Sequence, residues 1–169
     1  TLQPISINGE EYDFDHEVDK LNYIIMNTTP CRGFVHGDPC LSNIMYNPIS
    51  ENLFFIDPRG YFGDDHSSIF DSHYDVAKLH HSMFGCYEAI TAGNYDLRET
   101  DVGYNFSVSN NAFTTELEQV FDKKTTAAGY NLSRVKAISK SFFFSMIPLH
   151  YDSSQRQLAL LLNGLEMRL

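Results

Sequence analysis

Two β-prone runs separated by a turn rich in strand-breaking residues constrain this chain more than any other feature. The first run covers residues 44–46, and the second covers residues 53–56. Such a pattern predicts a β-hairpin. A further short apolar run at residues 34–35 reads as a strand that leads into His36-Gly37-Asp38. Between the two runs lie the breakers Asn47, Pro48, Ser50 and Asn52.

The predicted hairpin brings polar side chains together. Asn43 directly precedes the first run and Asp57 directly follows the second, so the two become neighbours in space. Asp38 lies in the loop five positions before Asn43. Magnesium prefers hard oxygen ligands and is commonly held by one or two carboxylates together with substrate phosphates. We expect Asn43 and Asp57 to hold magnesium and Asp38 to accept a proton, an arrangement suited to phosphoryl transfer.

The motif HGDPCLSN followed by FFIDPRG resembles that of the aminoglycoside phosphotransferase and choline kinase superfamily, small-molecule kinases with a protein-kinase-like fold. The resemblance implies Asp38 as catalytic base and Asn43 and Asp57 as magnesium ligands. It implies His36 as a structural residue of the catalytic loop. Gly37 stands where protein kinases carry an arginine, and DPRG stands in place of their DFG.

A second stretch, YDVAKL at residues 74–79, is similar to the Y-D-L-A helix start of the same superfamily. There the aspartate accepts hydrogen bonds from the catalytic-loop backbone. The resemblance therefore implies that Asp75 keeps Asp38 oriented. Arg59 has two open interpretations, a contact to phosphate or substrate and a solvated salt-bridge partner.

Each residue of the trio also has an ordinary structural interpretation. Asp38 could be a turn residue, Asn43 a cap and Asp57 a strand end. The kinase-like spacing of all three, with Asp75 following, favours the site.

Sequence periodicity predicts an α+β fold that is predominantly helical. The resemblance implies that this fold is a protein-kinase-like C-terminal lobe with a small β-hairpin carrying the catalytic and metal-binding loops. The region 94–111 is interpreted as a connecting loop or short hairpin, and Phe142-Phe143-Phe144 as the buried centre of the bundle. Helices are predicted at about residues 13–27, 72–92, 112–128, 133–147 and 153–167.

The second predicted helix carries an apolar pattern that predicts its core face. His80 and His81 lie in the middle of this helix and are interpreted as packing or surface residues rather than ligands. The predicted core face consists of Val76, Leu79, Met83 and Tyr87.

A complete kinase also has an N-terminal lobe with a Gly-rich loop, a strand lysine and a helix glutamate. Only 35 residues precede His36. Their only glycines are Gly9 and Gly33, and their only lysine is Lys20. Five strands and a helix with their connections need about 60 residues. We therefore expect residues 1–169 to be one domain of a longer protein, with the nucleotide-clamping lobe elsewhere and negligible turnover by this domain alone.

Composition limits the partners. The chain has 169 residues and a net charge of −10, which argues against nucleic acid as a partner. No apolar run approaches the roughly 18 residues of a membrane helix, so no membrane partner is expected. Cys31, Cys40 and Cys86 show no CxxC spacing, which indicates reduced thiols and a cytoplasmic location.

The predicted function is ATP- or GTP-dependent phosphoryl transfer to a hydroxyl of a small molecule such as a sugar, an amino sugar or a choline-like alcohol, with Mg²⁺ as cofactor. The alternative is a non-catalytic kinase-like scaffold or binding module. Gly37 and the absence of an APE-like sequence after Asp57 disfavour a protein kinase. Asp64, Asp65 and His66 lie where a kinase activation segment shapes the acceptor site; a metal cluster there is the weaker interpretation.

Overall fold

The computed structural model describes residues 3–61, 67–109 and 114–169. These ranges contain six α-helices and eight short strands. The α+β class is confirmed. None of the helices in these ranges is both long and apolar enough to cross a membrane. The helices are α1 (Phe14–Met26), α2 (His73–Met83), α3 (Tyr87–Thr91), α4 (Thr115–Ala127), α5 (Leu132–Met146) and α6 (Ser154–Glu166). The strands are β1 (Ile5–Ile7), β2 (Glu10–Tyr12), β3 (Arg32–Phe34), β4 (Ile44–Asn47), β5 (Asn52–Phe55), β6 (Ile69–Asp71), β7 (Tyr95–Thr100) and β8 (Gly103–Val108).

The strands form three separate sheets. The largest has the order β2-β1-β8-β7, in which β1 runs parallel to β8 and the other pairs are antiparallel. The hairpin predicted from the two β-prone runs is confirmed, because β4 pairs with β5 from Ile44 opposite Phe55 to Asn47 opposite Asn52. The hairpin interpretation of residues 94–111 is also confirmed, by β7 and β8. The third sheet pairs β3 with β6.

Polar residues before α1, α5 and α6 explain where these helices begin. The side chains of Asp13, Asn131 and Ser153 each accept a hydrogen bond from the backbone N–H three residues later. These caps satisfy donors that the first helical turn leaves free. They confirm the predicted starts of α1, α5 and α6. The predicted start of the third predicted helix at residue 112, and the polar stretch with Asp64, Asp65 and His66, lie outside the described residues.

The core is built around α5. Phe143 is fully buried with residues of α6 and of the largest sheet, whereas Phe142 is buried with Ala77 of α2. Phe144 packs, partly buried, against the first of these groups. The prediction that this phenylalanine run lies at the centre of the bundle is therefore confirmed.

The prediction of one continuous helix over residues 72–92 is wrong. The chain forms α2 and α3, with a break at Phe84, Gly85 and Cys86. A Cβ at Gly85 would lie 2.5 Å from the carbonyl oxygen of His81 and 2.8 Å from the ring of Phe143. Cys86 has φ 59°, a left-handed conformation. The close packing of the glycine backbone ends α2 and redirects the chain.

The predicted core face of this helix is confirmed only in part, because Val76 and Tyr87 pack against the core clusters without being fully buried. Val76, Leu79, Met83 and Tyr87 are only half-buried. Tight packing of α2 against α5 places small and imidazole side chains inside instead, and a polar partner such as Ser139 makes this possible for His80. The buried residues of α2 are His73, Ala77, His80, His81 and Ser82.

Candidate active site

The loop after β3 lies against the first turn of α2 and is held by Asp75. The backbone N–H of His36 donates to Asp75 Oδ2 at 2.7 Å, and that of Gly37 donates to Oδ1 at 2.8 Å. Gly37 has φ 87°, which favours glycine. The structure thus places Asp75 against the backbone directly before Asp38.

Asp38 and Asn43 contact each other at the open end of the β4–β5 hairpin, and Asp57 lies just beyond the last residue of β5. Asn43 Nδ2 donates to the backbone oxygen of Asp38 at 2.9 Å and lies 3.4 Å from Asp38 Oδ2. The backbone N–H of Ile56 donates to the carbonyl oxygen of Asn43 at 3.0 Å, which brings Asp57 alongside. Asp57 is exposed and has φ 58°. Its carboxylate makes no hydrogen bond or ion pair with another described residue.

Lys78 is a site residue that the sequence reasoning missed. Its Nζ lies 2.9 Å from Asp38 Oδ1, although the angles suit an ion pair better than a hydrogen bond. The lysine side chain is 12% exposed and the aspartate 36% exposed, so the pair is partly shielded from water. Lys78 Nζ also lies 5.1 Å from the ring centroid of Phe142. The sequence did contain a signal for Lys78. Residues three apart on a helix share a face, and the resemblance already implied that Asp75 contacts the catalytic loop.

Ser82 extends the same face of α2 by one more turn. Its Oγ accepts a hydrogen bond from the backbone N–H of Leu41 at 2.9 Å and donates to the carboxylate of Glu88. Asp75, Lys78 and Ser82 therefore contact the loop at successive points between residues 36 and 41. Burial raises the pKa of the nearby Tyr87 phenol, and the charges of Glu88 and Asp38 raise it further.

His36 and Arg59 connect the loop to the hairpin. His36 Nδ1 accepts from the backbone N–H of Asp38 at 3.3 Å, and the His36 carbonyl accepts from the backbone N–H of Arg59 at 2.9 Å. The Arg59 guanidinium donates to Tyr74 Oη at 2.8 Å and lies 5.6 Å from the ring centroid of Tyr61. Arg59 thus lies beside two tyrosines at the rim of the site, and both interpretations of its role stay open.

A cavity of about 740 Å³ lies beside the loop, behind His36 and Asp75. Its described lining is mostly apolar and includes Phe34, Phe55 and Leu79, but it does not include the trio. The hairpin next to it exposes large apolar side chains, with Tyr46 60% and Leu53 58% exposed. A contiguous exposed apolar surface of this kind indicates an interaction surface.

No protein-family description, no curated protein and no solved structure matches this chain.

Proposed function

We propose that this domain catalyses ATP- or GTP-dependent phosphoryl transfer to a hydroxyl of a small molecule, as the C-terminal lobe of a protein-kinase-like enzyme. The observation that carries the proposal is the contact between Asp38 and Asn43 on a loop whose backbone Asp75 holds with two hydrogen bonds. Asp57 directly follows Ile56, whose backbone N–H donates to the Asn43 carbonyl oxygen. The acceptor class is a sugar, an amino sugar or a choline-like alcohol.

Asp38 is the proposed catalytic base. It lies at the surface of the loop, where an acceptor hydroxyl can approach, and its backbone is fixed by Asn43 and His36. A positioned base contributes about 10²–10⁴-fold to such a reaction. Lys78 holds one carboxylate oxygen, so the other oxygen is the one that faces an incoming hydroxyl.

Asn43 and Asp57 are the proposed magnesium ligands, and their chemistry fits the ion. The Asn43 amide nitrogen is used on Asp38, which leaves the amide oxygen as an acceptor. The Asp57 carboxylate is exposed and uncommitted among the described residues. One carboxylate and one amide oxygen, completed by phosphates and water, suit magnesium. The bound ion would neutralise charge on the phosphates.

The exposed hairpin supports the proposal that a second, nucleotide-clamping lobe of a longer polypeptide covers this face. Tyr46, Leu53 and Phe55 are each more than half exposed, and they lie directly beside the proposed metal ligands. A lobe resting there would bury these side chains and close the site over the nucleotide. Exclusion of water strengthens the electrostatic interactions on which transfer depends.

A cytoplasmic location is part of the proposal. Cys31, Cys40 and Cys86 are all free thiols, and Cys31 is exposed. Free thiols persist in reducing compartments.

A non-catalytic kinase-like binding module is the second candidate. The Lys78–Asp38 ion pair favours it, because a base engaged by a lysine is less available to a hydroxyl. The same exposed hairpin would then serve as the binding surface.

Phosphate transfer by the full-length protein tests the proposal. Wild type, Asp38→Asn and Asp101→Asn are assayed with ATP or GTP and magnesium across a panel of sugars, amino alcohols and aminoglycosides. Asp101 is the matched control, since it is an exposed carboxylate in the β7–β8 turn. We expect Asp38→Asn to lose about 10²–10⁴-fold and Asp101→Asn to keep its activity. No transfer to any acceptor, together with no nucleotide binding, would favour the binding module.

A further inference from the structure

A second cluster of ligand-type side chains lies on the opposite face of α2. His80 follows Lys78 by two residues, about 200° around the helix. One potential ligand atom each from His80, Glu118 and Asp122 lies within 4.8 Å of the other two. These residues come from α2 and α4, and α5 supplies the neighbouring Lys136. The cluster plays no part in the proposed phosphoryl transfer.

Two buried atoms in this cluster lack a hydrogen-bond partner. His80 is 1% exposed, and its Nε2 lies 3.7 Å from Glu118 Oε1, beyond hydrogen-bond distance. Asp122 Oδ1 is also buried and has no partner in the part of the chain described. A buried polar atom left without a partner is unfavourable. A cation between these atoms would satisfy both.

We propose that His80, Glu118 and Asp122 form a binding site for a divalent transition-metal ion, with zinc as the best-fitting ion. One imidazole nitrogen and two carboxylates are ligands that zinc accepts, whereas magnesium and calcium prefer sites made of oxygen alone. Water would fill the fourth position. Ser139 Oγ lies 2.9 Å from His80 Nδ1. With its Oγ accepting a hydrogen bond from Nδ1–H, Ser139 would hold the tautomer whose Nε2 lone pair is available to the metal.

The surroundings keep His80 able to bind a metal. Burial lowers the pKa of His80 to about 4, and the charge of Lys136 lowers it further, while Glu118 and Asp122 oppose this shift. Burial thus favours the neutral imidazole. A neutral imidazole is the form that coordinates metal ions.

Lys136 is the competitor for this site. Its Nζ lies 2.8 Å from Asp122 Oδ2 and 3.3 Å from Glu118 Oε1. The two carboxylates and the lysine carry a net charge of −1, whereas the carboxylates alone carry −2 and match a divalent ion. Metal binding requires Lys136 to release Glu118. Lys136 contacts only Oδ2 of Asp122, so Asp122 Oδ1 can bind the metal while that contact persists. Removing the lysine charge should therefore tighten metal binding.

The site would anchor α4. Thr125 is the only buried residue that the structure shows in α4, and Leu117 and Val120 are exposed. The half-buried Phe121 supplies the aromatic contact of this helix, with its ring centroid 5.5 Å from that of His80 and 5.4 Å from that of Phe84. A metal shared by His80 of α2 and two carboxylates of α4 would cross-link the two helices.

Zinc titration of the untagged full chain against a chromophoric chelator tests the proposal, with the visible absorption of bound Co²⁺ as a second readout. Wild type is expected to bind one Zn²⁺. His80→Gln should weaken binding at least tenfold, and Lys136→Met should tighten it several-fold. His16→Gln is the matched control, because His16 is exposed on α1. Asp57→Asn should bind like wild type, which separates this cluster from the hairpin site.

Glu118→Gln provides a second test, because the Glu118 side chain is 37% exposed and its replacement leaves the core intact. Far-ultraviolet circular dichroism checks that each variant is folded. Zinc affinity unchanged in both His80→Gln and Glu118→Gln would overturn the proposal. Absence of one-to-one zinc binding in both wild type and Lys136→Met would overturn it as well.

Discussion

His81 should make the stability of this protein strongly dependent on pH. It is 1% exposed, and its ring centroid lies 4.2 Å from that of Phe143 and 4.9 Å from that of Tyr87. Burial lowers the pKa of His81 from 6.5 to about 3; the charge of Lys78 adds to the shift, and the Ser139 backbone opposes it. The native protein therefore keeps this imidazole neutral at pH values where the unfolded chain protonates it.

The sign and size of the effect follow from proton linkage. Because the folded pKa of about 3 lies below the unfolded value of 6.5, the contribution is fully present above pH 6.5. It is lost as the pH falls from there toward 3, since the unfolded state binds the proton first. The loss is about 1.4 kcal/mol per pH unit within this window, or about 2 kcal/mol between pH 7 and pH 5.

Urea unfolding of wild type and His81→Leu at pH 7, 6 and 5, followed by circular dichroism, measures this contribution. A chelator in the buffer keeps the His80 cluster free of metal. The free energy of unfolding of wild type should fall by about 2 kcal/mol more than that of His81→Leu between pH 7 and pH 5. His16→Leu, at an exposed position, should follow wild type. Equal pH dependence of wild type and His81→Leu would refute the reasoning.

Three further substitutions test the packing and the site. Asp75→Ala removes the acceptor of two loop N–H groups, so phosphate transfer should fall about 10²-fold. An unchanged initial rate would contradict the positioning role of Asp75. Asp71→Ala leaves Arg134 buried without the carboxylate that lies 2.7 Å from its Nε, and urea unfolding should show a loss of about 3–5 kcal/mol. A loss below about 1 kcal/mol would argue against this buried pair. Gly85→Ala should lower the free energy of unfolding by about 1–3 kcal/mol, because the added Cβ would overlap the His81 carbonyl oxygen. A thermal midpoint equal to that of wild type would contradict this expectation.

Features fixed by nearby residues could be predicted from the sequence. The β4–β5 hairpin needs only two β-prone runs and a turn, and its register then places Asn43 opposite Ile56, the residue before Asp57. Helix starts depend on a capping side chain and a backbone N–H three residues later, as at Asp13 and Ser153. Both kinds of feature are decided within a few residues.

Features that depend on distant residues could not be predicted in the same way. β1 lies inside the largest sheet, because it pairs with β8 nearly a hundred residues later. Asn8 supports that pairing with hydrogen bonds to the backbone of Phe106 in both directions. The break at Gly85 likewise depends on Phe143 of α5.

Helix α2 shows why hydrophobic periodicity alone does not assign the faces of a helix. Asp75, Lys78 and Ser82 are spaced at i, i+3 and i+7, the spacing that marks one face of a helix. Because these residues are polar, the pattern suggests a solvated face, yet here it lies against the loop that carries Asp38. The face packed against α5 includes Ala77 and His81, which a search for aliphatic residues overlooks. Both faces of α2 therefore have partners. On such a helix, polar residues at helical spacing indicate contact with a loop, because the loop's backbone N–H groups need acceptors and its charged side chains need opposite charges.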